Sequence, residues 1–143
     1  MAPRDTDPYL DLALDRIGDR WTLLIVDAMM SGPRRFNELM ADVEGIAPNI
    51  LTKRLRQLEI DALVVATPYS HKPVRLAYTL TEPGRELAAA LASLSAWGAR
   101  QSGDTRQLPR HSTCGTPVET RPWCPTCNTW LDADIPDEPL DWA

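Results

Sequence analysis

Residues 46–61, IAPNILTKRLRQLEID, decide how the rest of this chain is read. Their apolar positions Ile50, Leu51, Leu55 and Leu58 recur at helical spacing and define one buried stripe, while Asn49, Thr52, Lys53 and Arg56 gather on the opposite side of the same helix. Pro48 suits the first helical turn, where its missing N–H takes nothing from the helix. The exposed side is short, dense and cationic. It carries the side-chain types that read base edges: Asn for adenine, Arg or Lys for guanine, a hydroxyl for either. An ordinary amphipathic helix with a solvated polar face shows the same pattern, so the helix alone leaves both readings open.

The next segment tips the balance. Leu63 to Thr67 and Arg75 to Leu80 are rich in Val, Leu, Ala, Tyr and Thr and read as two strands, joined by a loop from Pro68 to Val74. His71 and Lys72 lie in that loop and Arg75 at its far edge, so the hairpin suits a nucleic-acid backbone or a minor groove. A reading helix followed at once by a basic-tipped hairpin is the winged form of the helix-turn-helix. With IGDRWTLLIVDAMMSGPRRFNEL before it and YTLTEPGREL after it, the chain resembles the HxlR-type, MarR-like branch of winged-helix transcriptional regulators. The resemblance spans Tyr9 to Gly98, with the motifs in the family's order. It implies a sequence-specific regulator of double-stranded DNA, expected to repress, and it places Arg34 and Arg35 near the DNA backbone. One departure concerns the start of the reading helix, where the family carries a Ser and this chain has Ala47. Losing such a cap costs about 1 kcal/mol, which the fold absorbs.

A length of 143 residues suits one main domain with a small appendage. No apolar run is long enough to cross a bilayer, and the charges in MAPRDTDPYLDL argue against a signal segment. The expectation is a cytoplasmic protein without a membrane partner. The net charge of -5 opposes phosphate binding only if charge is spread evenly. Between Pro33 and Leu76 seven cations face five acids, whereas from Leu108 onward two arginines face six acids. Exposed charges more than about 10 Å apart are largely screened at moderate salt, so the local excess counts.

Ahead of the reading helix, Leu10, Ala13, Leu14 and Ile17 share one helical face that should end at Gly18. Trp21, Leu24, Ile25, Ala28 and Met29 repeat the spacing. Both stripes read as core. Phe36, Leu39 and Met40 line a third, short helix after the Ser31-Gly32-Pro33 turn. Behind the wing, Thr81-Glu82-Pro83-Gly84 opens a long helix carrying Leu87, Leu91, Leu94 and Trp97 on one stripe and Ala88, Ala92 and Ser95 on another. Two stripes exceed what covering the wing requires. A homodimer joined through Leu10, Leu87, Leu91, Leu94 and Trp97 is therefore expected, with two reading helices about 34 Å apart on a near-palindromic operator. The alternative is a monomer whose last helix folds back on its own core.

All three cysteines lie near the C-terminus, as His111-x-x-Cys114, nine residues, Cys124-x-x-Cys127. Two such pairs offer four ligands to a closed, structural zinc ion. The piece from Leu108 to Ala143 has 36 residues, many of them prolines, and falls below the roughly 40 at which a fold needs a staple. Zinc supplies on the order of 10 kcal/mol to units of this kind. Trp123 and Trp130 would form the miniature core of what resembles a zinc ribbon. A water or Glu119 in place of His111, a metal-free reduced pair and a Cys124–Cys127 disulfide are the alternatives.

Enzyme chemistry finds little support. Zinc deaminases need a His-x-Glu, yet Ser112-Thr113 follow His111 and Lys72-Pro73 follow His71. Thiol-disulfide enzymes need their Cys-x-x-Cys at a helix start within a βαβ unit. The chain holds only two histidines and no phosphate-cradling glycine loop. The reading is therefore a non-enzymatic, mainly α protein with a small β-hairpin wing (α+β). Residues 1–100 form the DNA-binding and dimerisation domain, 101–110 a linker, 111–131 the zinc-ribbon-like module and 132–143 an acidic tail. The competing function is a protein-interaction or autoinhibited adaptor module acting through the zinc-binding and acidic segment. A small-molecule effector between core and dimer helices, or the tail's thiols, are the candidate switches. Asp7-Pro8 stands where some relatives place an oxidant-sensing cysteine.

Overall fold

The computed structural model describes residues 7–104, 108 and 110–131, and the chain divides after Leu91 into two compact units. Helix α1 (Pro8–Ile17) begins where the Asp7 carboxylate accepts from the N–H groups of Tyr9 at 2.8 Å and Leu10 at 3.3 Å, satisfying two of the helix's orphan donors. It ends at Gly18, as expected. The core assignment of its stripe is corrected: Leu10, Ala13 and Leu14 are exposed, and Ile17 alone of the four packs against the core. An amphipathic stripe records that a face is apolar and says nothing about what covers it.

Helix α2 (Arg20–Ala28) is capped by Asp19, which accepts from the N–H groups of Trp21 and Thr22, both at 3.1 Å, and from the Thr22 hydroxyl. It buries Thr22, Ile25 and Val26, with Met29 just beyond, while Leu24 faces outward. A two-residue strand β1 (Arg34–Arg35) leads into α3 (Phe36–Asp42). The turn to α4 (Pro48–Ile60) passes through Gly45 at φ +82, a left-handed conformation in which a side chain is strained. Ala47 makes no side-chain cap bond and Pro48 fills the first turn. Helix α4 buries Leu51, Leu55 and Leu58.

The wing consists of β2 (Val64–His71) and β3 (Val74–Leu80), paired antiparallel from Val64↔Leu80 to His71↔Val74, with an irregularity between Pro68 and Ser70. The strands run further than expected, and the loop read from Pro68 to Val74 shrinks to Lys72-Pro73. The sheet order β1-β3-β2 explains this: β2 is an edge strand, where proline's missing N–H need break no ladder bond.

After the wing, the single long helix expected is two, α5 (Glu82–Glu86) and α6 (Ala88–Ser102), separated at Leu87. Gly84 is buried, and a Cβ there would lie 2.2 Å from the Leu63 carbonyl oxygen. Thr81 fastens the same junction, its N–H donating to the Leu63 carbonyl at 3.0 Å and its hydroxyl to the Ala62 carbonyl at 2.7 Å. The core gathers Ile25, Val26, Met29, Leu39, Val43 and Ile46 with the three α4 leucines and Leu63, Val64 and Leu80.

In the second unit, α6 continues through Ser102, past the boundary read at residue 100, and a hairpin of β4 (Trp123–Cys124) and β5 (Thr129–Trp130) follows. The acidic tail read at 132–143, and linker residues 105–107 and 109, lie outside the described residues. Among those described, no helix is long and apolar enough to cross a membrane.

Candidate nucleic-acid interface

Helix α4 divides its side chains around its circumference. Leu51, Leu55 and Leu58 are at most 2% exposed, whereas Asn49, Thr52, Lys53 and Arg56 are all exposed. The Thr52 hydroxyl donates to the Pro48 carbonyl at 2.9 Å, so toward a base it offers its oxygen as an acceptor. Gln57, which the sequence reading passed over, is exposed beside Arg56 and donates to the Asp61 carboxylate at 3.2 Å. Arg54 is the one cation of the helix turned inward, its Nε 3.2 Å from Asp19 Oδ1. Position 54 lies three and four residues from the buried Leu51 and Leu58, which places it toward that side of the helix.

At the hairpin, Lys72 and Arg75 are exposed at and beside the tip. Arg35 and Arg75 line one groove of about 590 Å³ between the start of α3 and the wing, together with Tyr69 and Tyr78. The Arg35 guanidinium lies over the Tyr69 ring, 4.4 Å from its centroid, a cation–π contact. Tyr69 was not foreseen as a positioning residue; the signal available was an aromatic side chain inside a basic loop. Burial first, and then the Glu59 carboxylate, raises the Tyr78 phenol above its usual pKa.

Arg34 is placed differently from its neighbour. Its guanidinium donates to the Asp42 carboxylate at 2.9 Å, the Ser31 hydroxyl at 2.9 Å and the Pro33 carbonyl at 3.2 Å. Three contacts within the chain hold the group that was expected to reach a phosphate. The pairing Arg34↔Tyr78 and Arg35↔Ala77 points the two adjacent side chains to opposite faces of the sheet.

The residues read as a dimer interface also separate. Leu87 and Leu91 are half-buried and pack against the winged-helix core, which gives them partners within the chain, whereas Leu10, Leu94 and Trp97 are exposed.

In the tail, His111 Nδ1 lies 3.3 Å from Cys114 Sγ, and the Cys127 N–H donates to Cys124 Sγ at 3.5 Å. The neighbouring Thr116 hydroxyl first, then the Thr116 backbone and His111, hold the Cys114 thiol down to about 7. The Glu119 carboxylate accepts from Arg121 at 2.7 Å. Among the described residues no three His, Cys, Asp or Glu side chains converge closely enough to hold a metal, so the four donors stand as two pairs.

Residues 16–106 match the family model described as HxlR-like helix-turn-helix. A helix-turn-helix transcriptional regulator of Mycobacterium tuberculosis is 40% identical over 132 residues, covering 89% of this chain and 82% of its own. The regulator YodB of Bacillus subtilis is 35% identical over 100 residues, covering 68% of this chain and 89% of its own. The mycobacterial match is too long to stop at the winged helix and extends into the cysteine-bearing tail. A solved structure of a MarR-family regulator from Enterococcus faecalis superimposes with a TM-score of 0.60 at 37% identity, covering 72% of this chain and 94% of that one.

Proposed function

Because the chain belongs to the HxlR-like helix-turn-helix family of DNA-binding transcriptional regulators, we propose that it works in the cytoplasm as a homodimer on a near-palindromic operator, where it represses. The observation that carries the reading is the division of α4: its leucines anchor the helix in the core while Asn49, Lys53 and Arg56 stand exposed together. A helix fixed on one side and rich in base-reading groups on the other fits a major groove. Arg35, Lys72 and Arg75 then serve the flanking backbone or minor groove, and electrostatics supplies affinity without sequence information. The intramolecular contacts of Arg34 give it the job of fixing the α3 entry instead.

Exposed apolar surface supports duplication. Tyr9 is 81% exposed and Trp97 58% exposed, surface suited to a second copy, and a two-fold dimer reads half-sites one turn, about 34 Å, apart. A small-molecule effector remains part of the proposal without an assigned site.

Selection of bound duplexes from a random pool, run at two salt concentrations, tests this directly. A two-fold symmetric motif enriched at both salts is the expected result. Enrichment of a single asymmetric half-site removes the dimer, and the absence of any enriched sequence removes base reading by α4.

A further inference from the structure

The tail contains the same hairpin twice. His111 and Cys114 lie one and four residues after Arg110, which bridges to Pro117; Cys124 and Cys127 lie one and four residues after Trp123, which pairs with Trp130. The offset between the two is thirteen residues, and Thr113, Cys114 and Thr116 recur at that offset as Thr126, Cys127 and Thr129. Each turn closes with the same backbone bond, Gly115 N–H to the His111 carbonyl at 2.8 Å and Asn128 N–H to the Cys124 carbonyl at 2.9 Å. Directly after the second donor of each pair comes a left-handed residue, Gly115 at φ +71 and Asn128 at φ 56, the two residue types that accept that conformation most readily. In the second turn a backbone N–H already points at the first sulfur, a bond that stabilises a thiolate over a thiol.

What holds these hairpins is not a core. No described residue from Arg110 to Leu131 is buried; Trp123 and Trp130 meet edge to face, with centroids 4.8 Å apart and both rings substantially exposed. A piece this small, with no buried residue among those described, calls for a cross-link or a metal to keep one conformation. The donor set is two thiolates from one turn and a thiolate and an imidazole from the other. That composition matches closed four-ligand zinc sites and disfavours hard, oxygen-seeking cations.

We infer that the two turns are the paired knuckles of a structural zinc site, with His111, Cys114, Cys124 and Cys127 as its ligands. With no packed core between the turns, little opposes drawing one pair onto the other. The thiols give up their protons on binding, so affinity falls as pH falls. The inference does not rest on how α4 meets DNA.

The test uses the full chain purified under reducing conditions. Elemental analysis should find one zinc per chain. The metal-depleted protein titrated with Co(II) should develop thiolate-to-cobalt charge-transfer bands together with strong tetrahedral ligand-field bands, which zinc then bleaches. Cys114→Ser and Cys124→Ser should each lose the tetrahedral spectrum, and His111→Ala should weaken it, while Glu119→Ala should leave it intact. The spectrum of the unmutated protein is itself a test, so the inference stays open to refutation even if a variant fails to fold. Zinc-free protein showing only octahedral cobalt bands overturns the inference. So does a tetrahedral spectrum that survives Cys114→Ser, or a Cys124–Cys127 disulfide in freshly isolated protein.

Discussion

One carboxylate oxygen of Asp19 serves both the start of α2 and the middle of α4: it accepts from the N–H groups of Trp21 and Thr22 at 3.1 Å and lies 3.2 Å from Arg54 Nε. The cap and the ion pair contribute differently. A lost N-cap costs about 1 kcal/mol, whereas an ion pair whose side chains are both about 30% exposed contributes about 0–1 kcal/mol after solvent screening. Asp19→Ala should therefore destabilise by about 1–2 kcal/mol. Asp19→Asn keeps a capping oxygen and should cost under about 1 kcal/mol. Urea denaturation of both variants checks this, and equal losses would make the ion pair the dominant contribution.

A second junction predicts a sharper effect. Any Cβ at Gly84 would lie 2.2 Å from the Leu63 carbonyl oxygen, a rigid backbone atom that cannot swing aside. The Thr81 N–H and hydroxyl hold the same junction, so the strain has little room to relax. Gly84→Ala should cost about 2 kcal/mol or more, visible as a lowered Tm, whereas Gly98→Ala, with open space around its Cβ position, should be neutral or stabilising. Equal behaviour of the two would mean that α5 does not pack as described.

Much of this was legible in the sequence, because it rests on local rules. The apolar spacing of Leu51, Leu55 and Leu58, Pro48 at the first turn and Gly18 at a helix end all act within a few residues of themselves. What stayed hidden depends on distant partners. The strand character of Arg34 and Arg35 exists only because Tyr78 and Ala77 arrive beside them. Pro68 reads as a loop residue until the sheet order places β2 at an edge. The burial of Leu87 and Leu91 and the exposure of Leu10 follow from which neighbours each helix meets, and no helical period records that.

The separate placements of the basic residues predict three distinct responses in DNA binding. Arg56→Ala should cost about 1–3 kcal/mol on the preferred site and relax discrimination at one base position. Arg75→Ala should weaken binding about equally on all sequences and lower the salt slope by about 1. Arg34→Ala, whose guanidinium is held by Asp42, Ser31 and Pro33, should leave the salt slope unchanged while lowering stability. Titrations of the three variants on specific and unrelated duplexes at several salt concentrations separate these outcomes. A reduced slope for Arg34→Ala would return that residue to the phosphates.

The last prediction concerns the apolar surface of α6. Leu94 and Trp97 are 54% and 58% exposed and three residues apart, hence on one face of the helix. Leu91, a turn earlier, is already packed against the core. If a second copy covers that face, a charge at Trp97 must be desolvated without a partner, which costs several kcal/mol. Trp97→Glu should then sediment as a monomer at concentrations where the parent protein is a dimer. Leu91→Ala should instead lower the Tm without changing the mass. The monomeric variant should keep its affinity for a single half-site and lose the additional affinity gained on the two-fold site, because linking two half-site contacts raises affinity without adding any new contact. A Trp97→Glu protein that remains dimeric would move the interface off this face of α6.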